Sequence, residues 1–334
     1  MKNMNPQLFG TIGVLLAASA LSIPLALSTA VARAASYPSK PVRLITTTAP
    51  GGITNEVARL MATKLSERLG KQMVVDSRSG GGGIVGTEMA ARAEPDGYTL
   101  LFATGTHTTH TALQRKLSYD PIKSFAPIAK LGSGPFALVV HPNVPAKSMK
   151  ELIALAKQKP GELLFATSGL GASAHLGAEL LKMMASIDFR VVHFKGGGLA
   201  MIDLLGNHSD AGIGALSQFL PHINSGRLRV LGTAGVRRSA ILPAVPSIAE
   251  AAGLPGYEIT IWWGVLAPVG TPAPTVNRLD KEINSILASD EVKKWFLTQG
   301  AEVGYMGPTE FGPFIKEQIT KWTSVVKKAN IKVE

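Results

Sequence analysis

Val42-Arg43-Leu44-Ile45-Thr46-Thr47-Thr48 runs directly into Ala49-Pro50-Gly51-Gly52-Ile53-Thr54-Asn55, and this passage sets the fold class. All of the first seven residues but Arg43 are β-branched or apolar, the composition of a buried strand. From Asn55 onward, Val57, Leu60, Met61, Leu65 and Leu69 recur at helical spacing, which predicts a helix over 55–69. A Pro-Gly-Gly turn between a strand and a helix is the joint of an α/β unit.

The alternation continues downstream. Strand-like runs fall at 73–75, 98–104, 137–141, 163–167, 190–193, 210–214, 229–233 and 258–266, separated by amphipathic stretches. That pattern predicts an α/β protein with parallel sheets. Ser148-Met149-Lys150-Glu151 and Ser247-Ile248-Ala249-Glu250 are capping boxes that mark two helix starts. Proline-containing stretches at 142–145, 242–246 and 268–274 punctuate the middle, and three helical patterns follow at 274–288, 290–299 and 308–329. There is no internal repeat.

The first 34 residues have a different character. A single Lys2 precedes an apolar stretch from Leu8 to about Ala32, which ends in Ala32-Arg33-Ala34. This is the pattern of a secretory signal peptide cut between Ala34 and Ala35, and it predicts an exported, periplasmic chain. A retained anchor is the competing reading, because the stretch approaches the roughly 20 residues that span a bilayer. Pro24 and the small-residue cleavage pattern favour removal.

The remaining residues suffice for two lobes of ordinary size. The absence of cysteine excludes disulfides, thiol catalysis and Cys-ligated metals. The net charge is +11, and +9 without Lys2 and Arg33. Lys and Arg are dispersed and aromatics are only 6%, with no basic cluster interleaved with stacking residues, so nucleic acid is not the expected partner. A positive field would favour encounter with anionic ligands.

The candidate chemistry lies in strand-to-helix turns. Pro50, Gly51, Gly52, Ile53, Thr54 and Asn55 lead into a helix whose first amide N–H groups lack intrahelical partners. Those donors and the positive end of the helix dipole suit a carboxylate or phosphate. An unliganded tight turn is the alternative. Thr104, Gly105, Thr106 and His107 repeat the design after the strand at 98–104. Thr167, Ser168, Gly169 and Ser173 repeat it after the strand at 163–167. Ligands of open α/β sheets bind outside the carboxyl ends of strands, so three such turns predict a shared crevice.

Other motifs carry less. Gly80–Gly83 lacks the Lys-Ser/Thr ending of a phosphate loop, and no G-x-G-x-x-G follows the first strand. His107 and His110 have no third ligand nearby, so no metal or cofactor is expected. Ser168 lies in Thr-Ser-Gly rather than in a nucleophile elbow. Asp203 and His193 could in principle complete a triad, but nothing in their spacing points to one. Lys195-Gly196 again follows a strand, where the lysine either offsets ligand charge or is a solvated surface group. Trp262-Trp263 reads as core, with a pocket wall as the alternative.

Residues along the whole mature chain also carry a family resemblance. Tyr37-Pro38-Ser39-Lys40-Pro41-Val42-Arg43-Leu44-Ile45 with Ala49-Pro50-Gly51-Gly52, then Pro95-Asp96-Gly97-Tyr98-Thr99-Leu100-Leu101, resemble the Bug-type receptors associated with tripartite tricarboxylate transporters. Tyr119-Asp120-Pro121, Val140-His141-Pro142, Leu254-Pro255-Gly256-Tyr257-Glu258 and Gln299-Gly300-Ala301-Glu302 continue the match. The resemblance implies a two-lobed periplasmic-binding-protein fold (type II, Venus-flytrap) hinged between two parallel-rich sheets. Residues 35–138 with 259–334 would form one lobe and 139–258 the other, with crossings near 136–140 and 256–260.

It further implies a monomeric, non-enzymatic receptor that closes on a small carboxylate and hands it to membrane transporter subunits. The ligand would be a di- or tricarboxylate, or an aromatic or other organic acid. The expected binding residues are the three turns above with Lys195, Gly196, Gly214 and Ala215. A sensor that presents its closed form to a signalling partner, and an exported hydrolase, remain the alternatives. Three departures from the family pattern matter. Asn55 stands at an often acidic position, Ile213-Gly214-Ala215-Leu216-Ser217 replaces Phe-Asp-Asn-Leu-Pro, and Phe194 replaces Tyr. The expected pocket is less acidic, with more room or an apolar wall at Gly214 and Ala215, and suits a ligand without an ammonium group.

Overall fold

The computed structural model describes residues 37–48, 52–113, 116–194, 196–235 and 237–331. The leader with its cleavage position, and Pro50, Gly51 and Lys195 of the expected site, lie outside the described residues.

From β1 (Val42–Thr46) the chain enters α1 (Ile53–Leu69), returns through β2 (Met73–Ser77) to α2 (Ile84–Ala91), and then forms β3 (Thr99–Thr104) and α3 (Thr106–Ala112). The long β4 (Phe125–Val140) leads to α4 (Met149–Gln158), β5 (Leu164–Thr167), α5 (Ser173–Ala185), β6 (Arg190–His193) and α6 (Gly197–Leu205). Next come β7 (Ala211–Ala215), α7 (Leu216–Asn224), β8 (Arg229–Thr233) and α8 (Ile248–Ala252). The chain then runs through β9 (Thr260–Pro268), α9 (Ala273–Leu287), α10 (Asp290–Thr298), β10 (Glu302–Met306) and α11 (Pro308–Lys328). No helix among the described residues is long and apolar enough to cross a membrane.

Local chemistry explains these elements. α1 buries Val57, Ala58, Met61, Ala62 and Leu65 on one face. It stops at Gly70, whose φ of 67° is the left-handed conformation and whose N–H closes on Ser66 O. The serine half of both capping boxes forms, with Ser148 Oγ accepting from Glu151 N–H and Ser247 Oγ from Glu250 N–H, each at 3.2 Å.

The sheet order is β2-β1-β3-β9-β4-β7-β5-β6, with β8 and β10 also paired to β4. β1 runs parallel to β2 and β3, and β5 runs parallel to β6 and β7. These two parallel groups meet through antiparallel β4 and β9. Residues 125–135 of β4 pair with β9, and residues 136–140 pair with β7 and β8. The change of partner falls at Pro135, which has no N–H for a ladder, and the register shift between Pro127 and Ala129 sits at another proline.

Periodicity at 137–141 reveals only the far end of this 16-residue strand. Lys130, Gly132, Gly134 and Pro135 interrupt the apolar pattern upstream. Strand β10 carries no sequence signal, because its five residues are half-buried or exposed.

Each parallel group has its own core. Leu44, Met61, Phe102, Leu279 and Phe296 belong to the one beside β1, whereas Leu138, Phe165, Leu176, Leu181 and Phe189 belong to the one beside β5. Helix α11 touches both regions: Phe311 and Ile315 pack beside Trp262, and Trp322, Val325 and Val326 pack into the core beside β5.

Candidate functional site

The expected turns sit at the carboxyl ends of β1, β3, β5, β6 and β7, each feeding a helix. These five helix starts share one property: none has a capping side chain. Elsewhere α4, α8 and α10 are capped by Ser148, Ser247 and Ser289 and carry Glu151, Glu250, and Asp290 with Glu291 in their first turns. Helices α3, α5, α6 and α7 have no acidic residue in the first turn, and α1 has only the exposed Glu56. At these five starts the amide donors and dipole ends are thus left without a capping side chain, as they also are at α2 and α9.

At α1, Gly52 adopts φ 76° and ψ 166°, a conformation open to glycine, and its carbonyl accepts from Asn55 and Glu56 N–H. Thr54 Oγ1 accepts a 3.1 Å bond from the indole of Trp263, and both residues are buried. Asn55 is engaged at both ends of its amide. Nδ2 donates to Ser77 Oγ at 3.2 Å, and Oδ1 accepts from Arg59 Nε at 2.9 Å.

At α3, Thr104 and Thr106 hydroxyls lie 2.9 Å apart. His107 turns into the core: its Nε2 lies 2.8 Å from Pro121 O and its ring packs on Tyr119 and Phe125. Burial pushes its pKa down to about 4, so it is neutral. His110 Nε2 meets Gly82 O at 2.9 Å, away from the His107 contact. Among the described residues no group of three or more His, Asp or Glu could hold a metal.

Gly80, Gly81, Gly82 and Gly83 all have positive φ. A β-carbon at Gly83 would lie 3.1 Å from Thr47 Cβ and 3.4 Å from Thr106 Oγ1, so this loop is the close packing behind the Thr106 turn.

At α5, Gly171 N–H donates to His175 Nδ1 at 3.0 Å, and the Thr167 hydroxyl meets Val192 O and His193 Nδ1 across to β6. Ser168 O accepts from Gly196 N–H, which ties the α5 and α6 turns together. Gly196 has open space where a β-carbon would be. Gly214 does not: a β-carbon there would lie 2.9 Å from Phe219 Cζ. The space beside Gly214 is thus filled by the buried Phe219.

The two parallel groups face each other at these turns. A β-carbon at Gly105 would stand 2.9 Å from Ser173 Oγ and 3.8 Å from Trp262 Nε1. One at Gly52 would stand 4.0 Å from Gln218 Nε2. Gln218 escapes sequence reasoning, because Ala215-Leu216-Ser217-Gln218 has neither a glycine run nor a hydroxyl cluster. Trp262 and Trp263 are core residues, and Trp263 also positions Thr54.

The profile of tripartite tricarboxylate transporter family receptors matches residues 57–331. The chain belongs to that family. Protein BugT of Bordetella pertussis (strain Tohama I) is 34% identical over 330 residues, covering 98% of this chain and 99% of BugT. An R. palustris protein solved with adipate is 34% identical with a TM-score of 0.83, covering 89% of this chain and 99% of that one. MatC from Rhodopseudomonas palustris, solved with bound malate, is 30% identical with a TM-score of 0.78, over 87% of this chain and 100% of MatC. This receptor therefore has the periplasmic-binding-protein-like α/β fold that its Bug-type resemblance implies. Its family consists of periplasmic solute-binding receptors, which are not enzymes.

Proposed function

We propose that this receptor captures a small organic anion bearing at least one carboxylate between two lobes and delivers it, as a monomer, to a tripartite tricarboxylate-type membrane transporter. The lobes are residues 35–138 with 259–334, and residues 139–258. They move about the point where β4 leaves β9 for β7 and β8, near Pro135–Phe136, and where the chain enters β9, near Ile259–Thr260.

The observation that carries the reading is the convergence of uncapped, acid-poor helix starts from both sheet groups. An anion between them would accept N–H bonds from both sides, and contacts made only on closure would shift the population to the closed form. Relatives solved with adipate and malate support the carboxylate class.

A thermal-shift screen of the mature protein against mono-, di- and tricarboxylates and aromatic acids tests this, since a ligand of the native state raises the melting temperature by mass action. Thr54→Asp places a negative charge in the first turn of α1 and is expected to abolish the shift. Stabilisation by neutral or cationic solutes and by no carboxylate would overturn the reading.

A further inference from the structure

Gln218 occupies the point where three strand-to-helix turns meet. Its amide faces Gly197 at the start of α6, where a β-carbon would lie 2.6 Å from Oε1 and 3.0 Å from Nε2. A β-carbon at Gly214, at the end of β7, would lie 3.9 Å from the same Oε1, and one at Gly52, across the crevice before α1, would lie 4.0 Å from Nε2. Three residues without side chains thus surround one half-buried amide, which hydrogen-bonds none of the described residues. A group able both to donate and to accept is held ready, on α7, against a turn of the opposite sheet group.

The surroundings explain why an amide stands there. Gly214 is filled by Phe219 and Ala215 offers only a methyl, so neither supplies a polar group to this end of the crevice. Gln218 restores polarity without charge, among helix starts that already favour anions. An acid at this place would repel a ligand carboxylate and attract an ammonium. A neutral amide does neither, and leaves the helix-start donors to set the preference.

We propose that Gln218 is a specificity-determining residue. Its amide reads the end of the ligand that lies between the α1 and α6 starts, donating to a carboxylate there and giving no counter-charge to an ammonium. This rests on the carboxylate-receptor reading above.

Calorimetric affinities test it with matched pairs: succinate and 3-aminopropanoate, glutarate and 4-aminobutanoate, adipate and 5-aminopentanoate. Each pair keeps one carboxylate and exchanges the other for an ammonium. The wild-type protein is expected to prefer the dicarboxylate of its best pair. Gln218→Glu should shift that preference at least tenfold towards the amino acid. Gln218→Ala should weaken the dicarboxylate at least threefold, as should Gly197→Ala, whose new methyl displaces the amide.

An unchanged preference in Gln218→Glu, with wild-type melting temperature and intact dicarboxylate binding, overturns the role of Gln218 and leaves the receptor reading standing. If Gln218→Glu fails to fold, wild-type affinity in Gln218→Ala does the same. If the wild-type protein binds none of the six probes, the inference falls. If no carboxylate in the wider screen binds either, the receptor reading falls with it.

Discussion

Trp263 on the central strand β9 donates its indole N–H to the hydroxyl of Thr54, the second residue of α1, at 3.1 Å. The ring itself packs edge-on against Phe296 in the core beside β1. A rigid aromatic therefore holds the first turn of α1 in place before any ligand arrives, which lowers the ordering cost of binding.

Trp263→Phe removes the donor and leaves a small void. The expected destabilisation is about 2–4 kcal/mol, from the lost bond and the void together. Affinity for the carboxylate identified in the screen should fall by roughly three- to tenfold, because Thr54 loses its anchor. Urea unfolding and calorimetry measure the two effects. Unchanged affinity would mean that Thr54 needs no positioning.

Gly177 in α5 lies under Ile259, close enough that a β-carbon would come within 1.7 Å of Ile259 Cδ1. Gly177→Ala is expected to cost about 1–3 kcal/mol through overpacking, despite the better helix propensity of alanine. Adding Ile259→Val to Gly177→Ala should recover part of the loss. A double-mutant cycle by chemical denaturation would show that coupling, and simple additivity would count against the contact.

His107 and His175 are buried, and burial pushes each pKa down to about 4 from the ordinary 6.5. The unfolded chain thus binds more protons than the folded one between pH 6.5 and 4. Stability is full above about pH 6.5, falls as pH drops through that window, and levels off below about pH 4. The loss is on the order of 3 kcal/mol for each residue. His107→Gln should flatten the acid limb of a plot of unfolding free energy against pH, while an unchanged limb would contradict the burial argument.

Ser148 caps α4 through Glu151 N–H, remote from the α1, α5, α6 and α7 starts. Ser148→Ala should cost about 1 kcal/mol and leave ligand affinity unchanged. Thr54→Asp should instead abolish the ligand-induced rise in melting temperature. Thermal melts with and without ligand separate the two kinds of helix start.

The alternation of strands and helices, the Ser148 and Ser247 caps, the turn at Gly52 and the family were all legible in the sequence. Each depends on residues close together in the chain: side-chain periodicity, a hydroxyl three residues before a glutamate, a run of glycines. Strand β4 was half legible, because the glycines and prolines that let it leave β9 for β7 also break its apolar pattern. The expected Asn55 amide could not be assigned from sequence either, since its commitment to Ser77 and Arg59 is set by how α1 packs on β2. Gln218 against Gly52 and Gly197, Ser173 against Gly105, and Trp263 under Thr54 were decided by tertiary structure alone. Such contacts join residues far apart in sequence, and local propensity carries no record of which distant turn will face which.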